Sequence, residues 1–166
     1  WYNPAKEGDA AKSMMEQGCD VVAQHTDSPA PLIAAEEAGK VGFGQASDQL
    51  KFAPKAQLTA TIDNWGPYYI DKVGQVLDGT WKTGDYFGHM NTGAVQMAPF
   101  TNMPANVALE AQIVKDAISA GTLHGFTGPI NKQDGSVFLE VGEVATRMQL
   151  DTMDFYVEGI TATPPS

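Results

Sequence analysis

Apolar and polar positions alternate between helical and strand-like periods along the first half of the chain. Ala10, Ala11, Met14 and Met15 mark one face of a helix that opens at Asn3 or Pro4 and runs to about Gln17, with Gly18 as its stop. Val21, Val22 and Ala23 then read as a short buried strand within residues 20–24. It ends in His25, Thr26, Asp27 and Ser28, and Pro29 and Pro31 argue against a helix starting at once. A helix is predicted over residues 32–38, closed by Gly39. A glycine-rich strand over 39–44 follows, ending in a second polar stretch from Gln45 to Gln49. Residues 58–62 are β-branched and predict a third strand, which gives way to Asp63, Asn64, Trp65, Gly66 and Pro67. Pro67 suits the first turn of a helix over 68–77, with Asp63 or Asn64 as its cap and Ile70, Val73 and Leu77 on one face.

The second half is less regular. Residues 80–91 hold aromatics and glycines without a period, and residues 94–98 read as a strand. A helix is predicted over 106–120, with Leu109, Ile113, Val114 and Ala117 in register and Gly121 after it. A short strand over 126–130, a tight turn at Gln133, Asp134 and Gly135, and a return over 137–139 come next, before a weakly alternating tail over 153–163. The helix–strand rhythm predicts an α/β fold, a parallel sheet with flanking helices.

Composition narrows the function classes. A chain of 166 residues with a net charge of −10 is a poor match for a phosphate backbone, so no nucleic acid is expected as a partner. No run approaches the apolar length of a membrane span. The single cysteine, Cys19, admits no internal disulfide and reads as a small buried residue before the first strand. The chain opens at Trp1 in Trp-Tyr-Asn-Pro, as an internal piece of a longer protein would.

Candidate chemistry sits in three polar stretches that each follow a strand: His25 to Ser28, Gln45 to Gln49, and Asp63 to Tyr69. In a parallel sheet such loops share one rim, the edge where ligands bind in open α/β folds. Polar βα loops also occur wherever the fold occurs, so convergence, and no single residue, carries this expectation. His25 with Asp27 could ligate a metal or act as an acid–base pair, but His89 and His124 show no ligand spacing. Ser28 and Ser47 lack the Gly-x-Ser-x-Gly elbow. Asp27, Asp48 and Asp63 have no fixed separation, and Gly42-Phe43-Gly44 lacks the rest of the dinucleotide fingerprint, so no cofactor is expected. A neutral or cationic hydrogen-bonding ligand fits this rim, with Trp65, Tyr68 and Tyr69 placed to stack on a flat ring.

Several motifs, taken in order, resemble one family. They are Trp1-Tyr2-Asn3-Pro4-Ala5-Lys6-Glu7, Gln17-Gly18-Cys19-Asp20-Val21-Val22, Gln24-His25-Thr26-Asp27-Ser28, Ser47-Asp48-Gln49, Asn64-Trp65-Gly66-Pro67-Tyr68-Tyr69 and Leu77-Asp78-Gly79-Thr80-Trp81. Gly128-Pro129-Ile130 and residues 153–160 extend them. Together they resemble the basic membrane protein family, substrate-binding proteins of ABC importers similar to purine-nucleoside receptors. The resemblance implies a type I periplasmic-binding-protein-like fold with ligand between two lobes, of which this chain would be the carboxyl-terminal portion, an incomplete two-lobe fold.

On that reading residues 1–62 are βα units of the second lobe. Residues 63–93 are a crossover and a helix packed on the first lobe, and 94–166 return to the second lobe and the tail. The resemblance further implies no catalysis, a purine base or nucleoside as ligand, ABC permease subunits and the amino-terminal lobe as partners, and a periplasmic or envelope location. The ligand contacts it implies are His25, Thr26, Asp27, Ser28, Gln45, Ser47, Asp48, Asp63, Trp65 and Tyr68. Three departures bear on the ligand. Nucleoside-binding members carry an aspartate for ribose where this chain has Ala46, a lysine where it has Asp63, and a stacking aromatic where it has Pro31 and Leu32. A free purine base is therefore expected over its nucleoside. Two other classes stay open: a small α/β enzyme on a nucleobase with His25 and Asp27 as acid and base, and a regulatory purine sensor.

Overall fold

A computed structural model describes residues 2–163; Trp1, the first residue of the opening motif, lies outside them. Two compact units divide the chain at residues 119 and 120.

The first unit opens with α1 (Pro4–Glu16). Asn3 Oδ1 accepts from the Lys6 amide at 3.1 Å, and Glu7 Oε1 accepts from the Asn3 amide at 2.9 Å, so two orphan donors of the helix start are satisfied reciprocally. Strand β1 (Val21–Val22) follows, shorter than the residues 20–24 expected. Helix α2 (Ala30–Glu37) begins earlier than predicted. Pro31 is no obstacle there, because it sits in the first turn, where an amide proton has no partner within the helix. Strands β2 (Val41–Gly44) and β3 (Gln57–Asp63), helix α3 (Gly66–Leu77), a 3₁₀ turn at Met90–Thr92, strand β4 (Val95–Met97) and helix α4 (Ala105–Ser119) complete the unit. The expected cap of α3 is absent: Trp65 holds the N-cap position without a side-chain bond, and Asn64 Nδ2 donates to the Gly93 carbonyl at 2.9 Å.

The sheet order is β1-β2-β3-β4. β1, β2 and β3 run parallel, as the βα rhythm predicts, whereas β4 pairs antiparallel with β3, Asp63 opposite Val95. The chain leaves β3 through α3 and re-enters beside the strand end it left, so no crossover intervenes and the pairing reverses. Thr59 Oγ1 donates to the Ala98 carbonyl at 2.7 Å, and Asn102 Nδ2 to the Gln57 carbonyl at 2.8 Å, tying the segment after β4 back along β3.

Ala11 and Met15 of α1, Val22 of β1, and Leu32, Ala34 and Ala35 of α2 form one buried cluster with Ala53 and Ala56. Leu32, at 0% exposure, is its largest fully buried member. Alanines fill most of the rest, which lets α1 lie close on α2. At Gly42 a Cβ would meet the Val22 carbonyl oxygen at 2.6 Å, so the approach of β2 to β1 requires glycine. Cys19, expected to be buried, is exposed, because it lies in the turn after α1, ahead of the strand. The apolar faces predicted for α3 and α4 exist but are uncovered: Ile70 is 76% and Leu77 81% exposed, and Leu109 and Ile113 also face solvent.

The second unit begins at residue 120. Strands β5 (Ile130–Asn131) and β6 (Val137–Leu139) form an antiparallel hairpin across the expected turn, with Gly135 at φ 84°. The strand expected over 126–130 shrinks to β5 plus an isolated bridge from Thr127 to Val144. Leu139 is fully buried, and Phe138 meets Phe155 edge-on at 4.9 Å. A short helix, α5 (Arg147–Asp151), was not anticipated. It has too few residues to show a period, and its only signal is the capping box of Thr146 with Gln149.

Candidate functional site

The three polar loops meet at the carboxyl-terminal rim of β1, β2 and β3. A chain of amide hydrogen bonds joins them. Gln57, on β3 and 1% exposed, donates from Nε2 to Asp48 Oδ1 at 2.8 Å, while its Oε1 accepts from the Gln49 amide at 2.9 Å. Gln49 Oε1 accepts from Gln24 Nε2 at 2.9 Å, and Gln24 Oε1 accepts from the Thr26 hydroxyl at 2.9 Å. The third loop joins through backbone: the Asp63 amide donates to the Ala46 carbonyl at 3.1 Å. Ala46 holds φ at 59°, in the left-handed region that costs a residue with a Cβ roughly 1–2 kcal/mol. Strain of that kind persists where the surroundings fix it, and here the strand ends on both sides do so.

The expected contact residues divide by position. His25, Asp27, Ser47, Asp48, Asp63 and Trp65 are exposed along the rim; Thr26, Gln45 and Tyr68 are half-buried in it. Ser28 is turned away from the edge. It is 1% exposed, its hydroxyl donates to Glu7 Oε2, and its oxygen accepts from the Ala30 amide at 3.3 Å. Ser28 thereby fastens the first loop to α1. Asp48 accepts from Gln57 and from the Leu50 amide at 3.0 Å, which makes one of its oxygens part of the scaffold.

Trp65 and Tyr68, singled out in the sequence with Tyr69, belong to an aromatic cluster that also includes Tyr86. Trp65 and Tyr68 meet edge-on at 5.8 Å, and Tyr68 and Tyr86 lie 4.4 Å apart at a tilt of 39°. Tyr86 comes from the aperiodic segment after α3, and nothing in its sequence neighbourhood marks it. Trp65, Tyr69 and Tyr86 retain large exposed faces.

A cavity of about 480 Å³ opens between the first loop and α1, within the range of small-molecule sites. Gln24, His25 and Thr26 line it on one side; Lys6, Glu7 and Met14 line it on the other. Lys6, Glu7 and the glutamine relay escaped sequence reasoning. Helix amphipathicity marks Ala11 and Met15 for the core but does not say that the adjacent face of α1 borders a cavity. Among the described residues no cluster of three His, Cys, Asp or Glu could hold a metal ion.

Two carboxyls at the site are held below their ordinary range, Glu7 by the Ser28 hydroxyl and then the Asn3 amide, and Asp48 by the Gln57 amide and then the Leu50 amide. A depressed carboxyl pKa contributes stability that is full above the unfolded-state value, about 4, and is lost as pH falls through the native one. Thermal melts are therefore expected to hold steady from neutral pH to about pH 5 and to drop below about pH 4. Glu7→Gln should shrink that drop. An acid-side melting curve identical for wild type and variant would remove the Glu7–Ser28 contact from the account.

The model of the Bmp family, described as ABC transporter substrate-binding protein PnrA-like, matches residues 1–125. A purine-binding protein of Brucella abortus (strain 2308) is 52% identical over 160 residues, covering 96% of this chain and 46% of that protein. A putative ABC transporter glucose-binding protein of Haloferax volcanii is 29% identical over 166 residues, covering all of this chain and 40% of that protein. The chain thus spans less than half the length of either relative. Among solved structures, an ABC transporter solute-binding protein from Aeropyrum pernix K1 superposes with a TM-score of 0.58 at 13% identity, over 90% of this chain and 47% of that one. The fold is that of periplasmic-binding-like α/β proteins. With a family model matched over residues 1–125, the chain belongs to the Bmp family of PnrA-like ABC transporter substrate-binding proteins.

Proposed function

We propose that this chain forms one wall of the ligand cleft of an ABC importer's solute receptor, and that the ligand is a purine base. The observation that carries this reading is the meeting of three βα loops on one rim, the first two joined by the Gln24, Gln49 and Gln57 amides and the third by the Asp63–Ala46 backbone bond, beside aromatic faces at Trp65 and Tyr68. His25, Thr26, Asp27, Gln45, Ser47, Asp48 and Asp63 supply the polar contacts, Trp65 and Tyr68 stack on the ring, and Ser28 braces the first loop from behind. The remaining wall comes from a further lobe of the same protein, and the loaded receptor docks on permease subunits at the outer face of the membrane. No helix among the described residues is long and apolar enough to cross a membrane. A receptor of this kind binds and releases without turnover. Family membership supports it over the enzymatic reading of His25 and Asp27.

The choice of base over nucleoside rests on Ala46, which offers a methyl group where a ribose contact is expected, and on Asp63 in place of a lysine. Sites built for a sugar hydroxyl discriminate strongly through that contact, and its loss removes the preference. Titration calorimetry of the full-length protein carrying this sequence, with adenine, adenosine and glucose, tests the reading. Adenine is expected to bind more tightly than adenosine, and glucose not at all. Tighter binding of adenosine would show that other residues hold the ribose, and binding of glucose alone would replace the purine reading by that of the Haloferax relative's name.

A further inference from the structure

We infer that Gln57 is a positioning residue of the ligand rim: its buried amide sets the pose of residues 45–49, and ligand affinity depends on that pose although Gln57 itself lies beneath the loop. The inference rests on the proposed use of this loop in purine binding.

Gln57 starts far from the rim. It is the first residue of β3 and pairs with Gly42, whereas the rim lies past Gly44 on β2 and past Asp63 on β3. Its side chain runs up the sheet to reach the loop, and Gly44 leaves the path open. A Cβ there would meet Gln57 Oε1 at 2.9 Å and Ala60 Cβ at 2.8 Å. Gln57 is 1% exposed, so it takes no part in the surface that a ligand meets.

Both ends of the amide are committed to the loop. Nε2 donates to Asp48 Oδ1 at 2.8 Å, and Oε1 accepts from the Gln49 backbone amide at 2.9 Å. A carboxylate only accepts and a backbone amide only donates, so the reverse orientation would break both bonds. Filling the core does not call for an amide here, because a Met of the same length would do so. Without Gln57 the amide of Gln49, a residue 6% exposed, loses its acceptor, the costly outcome for a polar group shielded from water. Asp48 Oδ1 also accepts from the Leu50 amide at 3.0 Å, and Asp48 forms no ion pair among the described residues. Between Gly44 and these bonds lies Ala46 with φ at 59°, a conformation that persists only where its surroundings hold it. A loop set in place before the ligand arrives loses less freedom on binding, which is how a residue out of contact raises affinity. Thr59 serves as the comparison. It too is on β3 and buried, but its hydroxyl donates to the Ala98 carbonyl, away from the loop.

Titration calorimetry with adenine on the full-length protein carrying this sequence, at about pH 8 and about pH 5.5, is the test. Gln57→Glu keeps the shape but sets a second carboxylate against Asp48. Two carboxylates in bonding distance repel when both are ionised, and a shared proton restores the bond as pH falls. Affinity relative to wild type is expected to fall about tenfold at the higher pH and to recover at the lower. The rim groups His25, Asp27 and Asp63 are present in both proteins, so the ratio isolates position 57. Gln57→Met should lose affinity equally at both pH values, and Thr59→Val should lower the melting temperature with affinity unchanged. Either Gln57 variant binding adenine as wild type does at the higher pH overturns the inference and leaves purine binding standing. A Gln57→Glu loss that does not recover at the lower pH does the same. So does a Thr59→Val loss as large as that of Gln57→Met, which would mark a general effect of stability. Wild type that binds no adenine overturns the purine reading and this inference with it. Should Gln57→Glu not fold at the higher pH, the uncharged Gln57→Met decides.

Discussion

Leu32→Ala is expected to destabilise the first unit by about 2–5 kcal/mol, a large fraction of the roughly 5–15 kcal/mol by which domains of ordinary stability hold together. Leu32 is the largest fully buried side chain of the cluster formed by α1, α2 and β1. Its neighbours there are mostly alanines, which cannot extend into the void, and Gly42 sits against its Cδ1 with no side chain to offer. The cavity would therefore stay open, the condition under which such truncations cost most. Chemical denaturation of wild type and variant, followed by far-UV circular dichroism, measures the loss. A change below about 1 kcal/mol would mean that α1 and α2 close over the gap, and that alanine-rich packing is less rigid than argued.

The second large effect concerns association. Helix α3 carries Ile70, Val73, Val76 and Leu77 as exposed side chains, and α4 carries Leu109 and Ile113. Covering a side chain of this kind is worth roughly 1.5–3 kcal/mol, and contiguous exposed apolar surface marks an interaction site. The 166-residue chain taken by itself is expected to self-associate at micromolar concentration. Ile70→Glu with Leu77→Glu should return it to monomer without a change in the circular dichroism spectrum. Sedimentation velocity across a concentration series is the measurement. A wild-type monomer over the whole series would show that these faces are tolerated in water.

Local order determined much of this molecule. The βα rhythm of the first half placed α1, β1, α2, β2, β3 and α3 correctly, because each is written in a short-range apolar period closed by glycine or proline. It also identified the rim, since parallel strands joined by helices must end on one edge. The family could be read from motifs spread along the chain, and the residues that depart from it, Ala46 and Asp63, were visible as letters.

Only the tertiary structure decided the rest. The direction of β4 depends on where the chain re-enters the sheet, which no local period records. Ser28 and its polar neighbours look alike in sequence, yet Glu7 on α1 draws Ser28 inward and leaves Thr26 at the cavity. Gln24 lies 25 residues before Gln49, and only the tertiary fold brings their side-chain amides together, while Gln57 bonds the Gln49 backbone. Tyr86 joins Tyr68 from a stretch without periodicity. Sequence supplied side chains and the edge they share. Which of them stay exposed on the rim and which turn into the scaffold follows from long-range contacts whose energies no single segment contains.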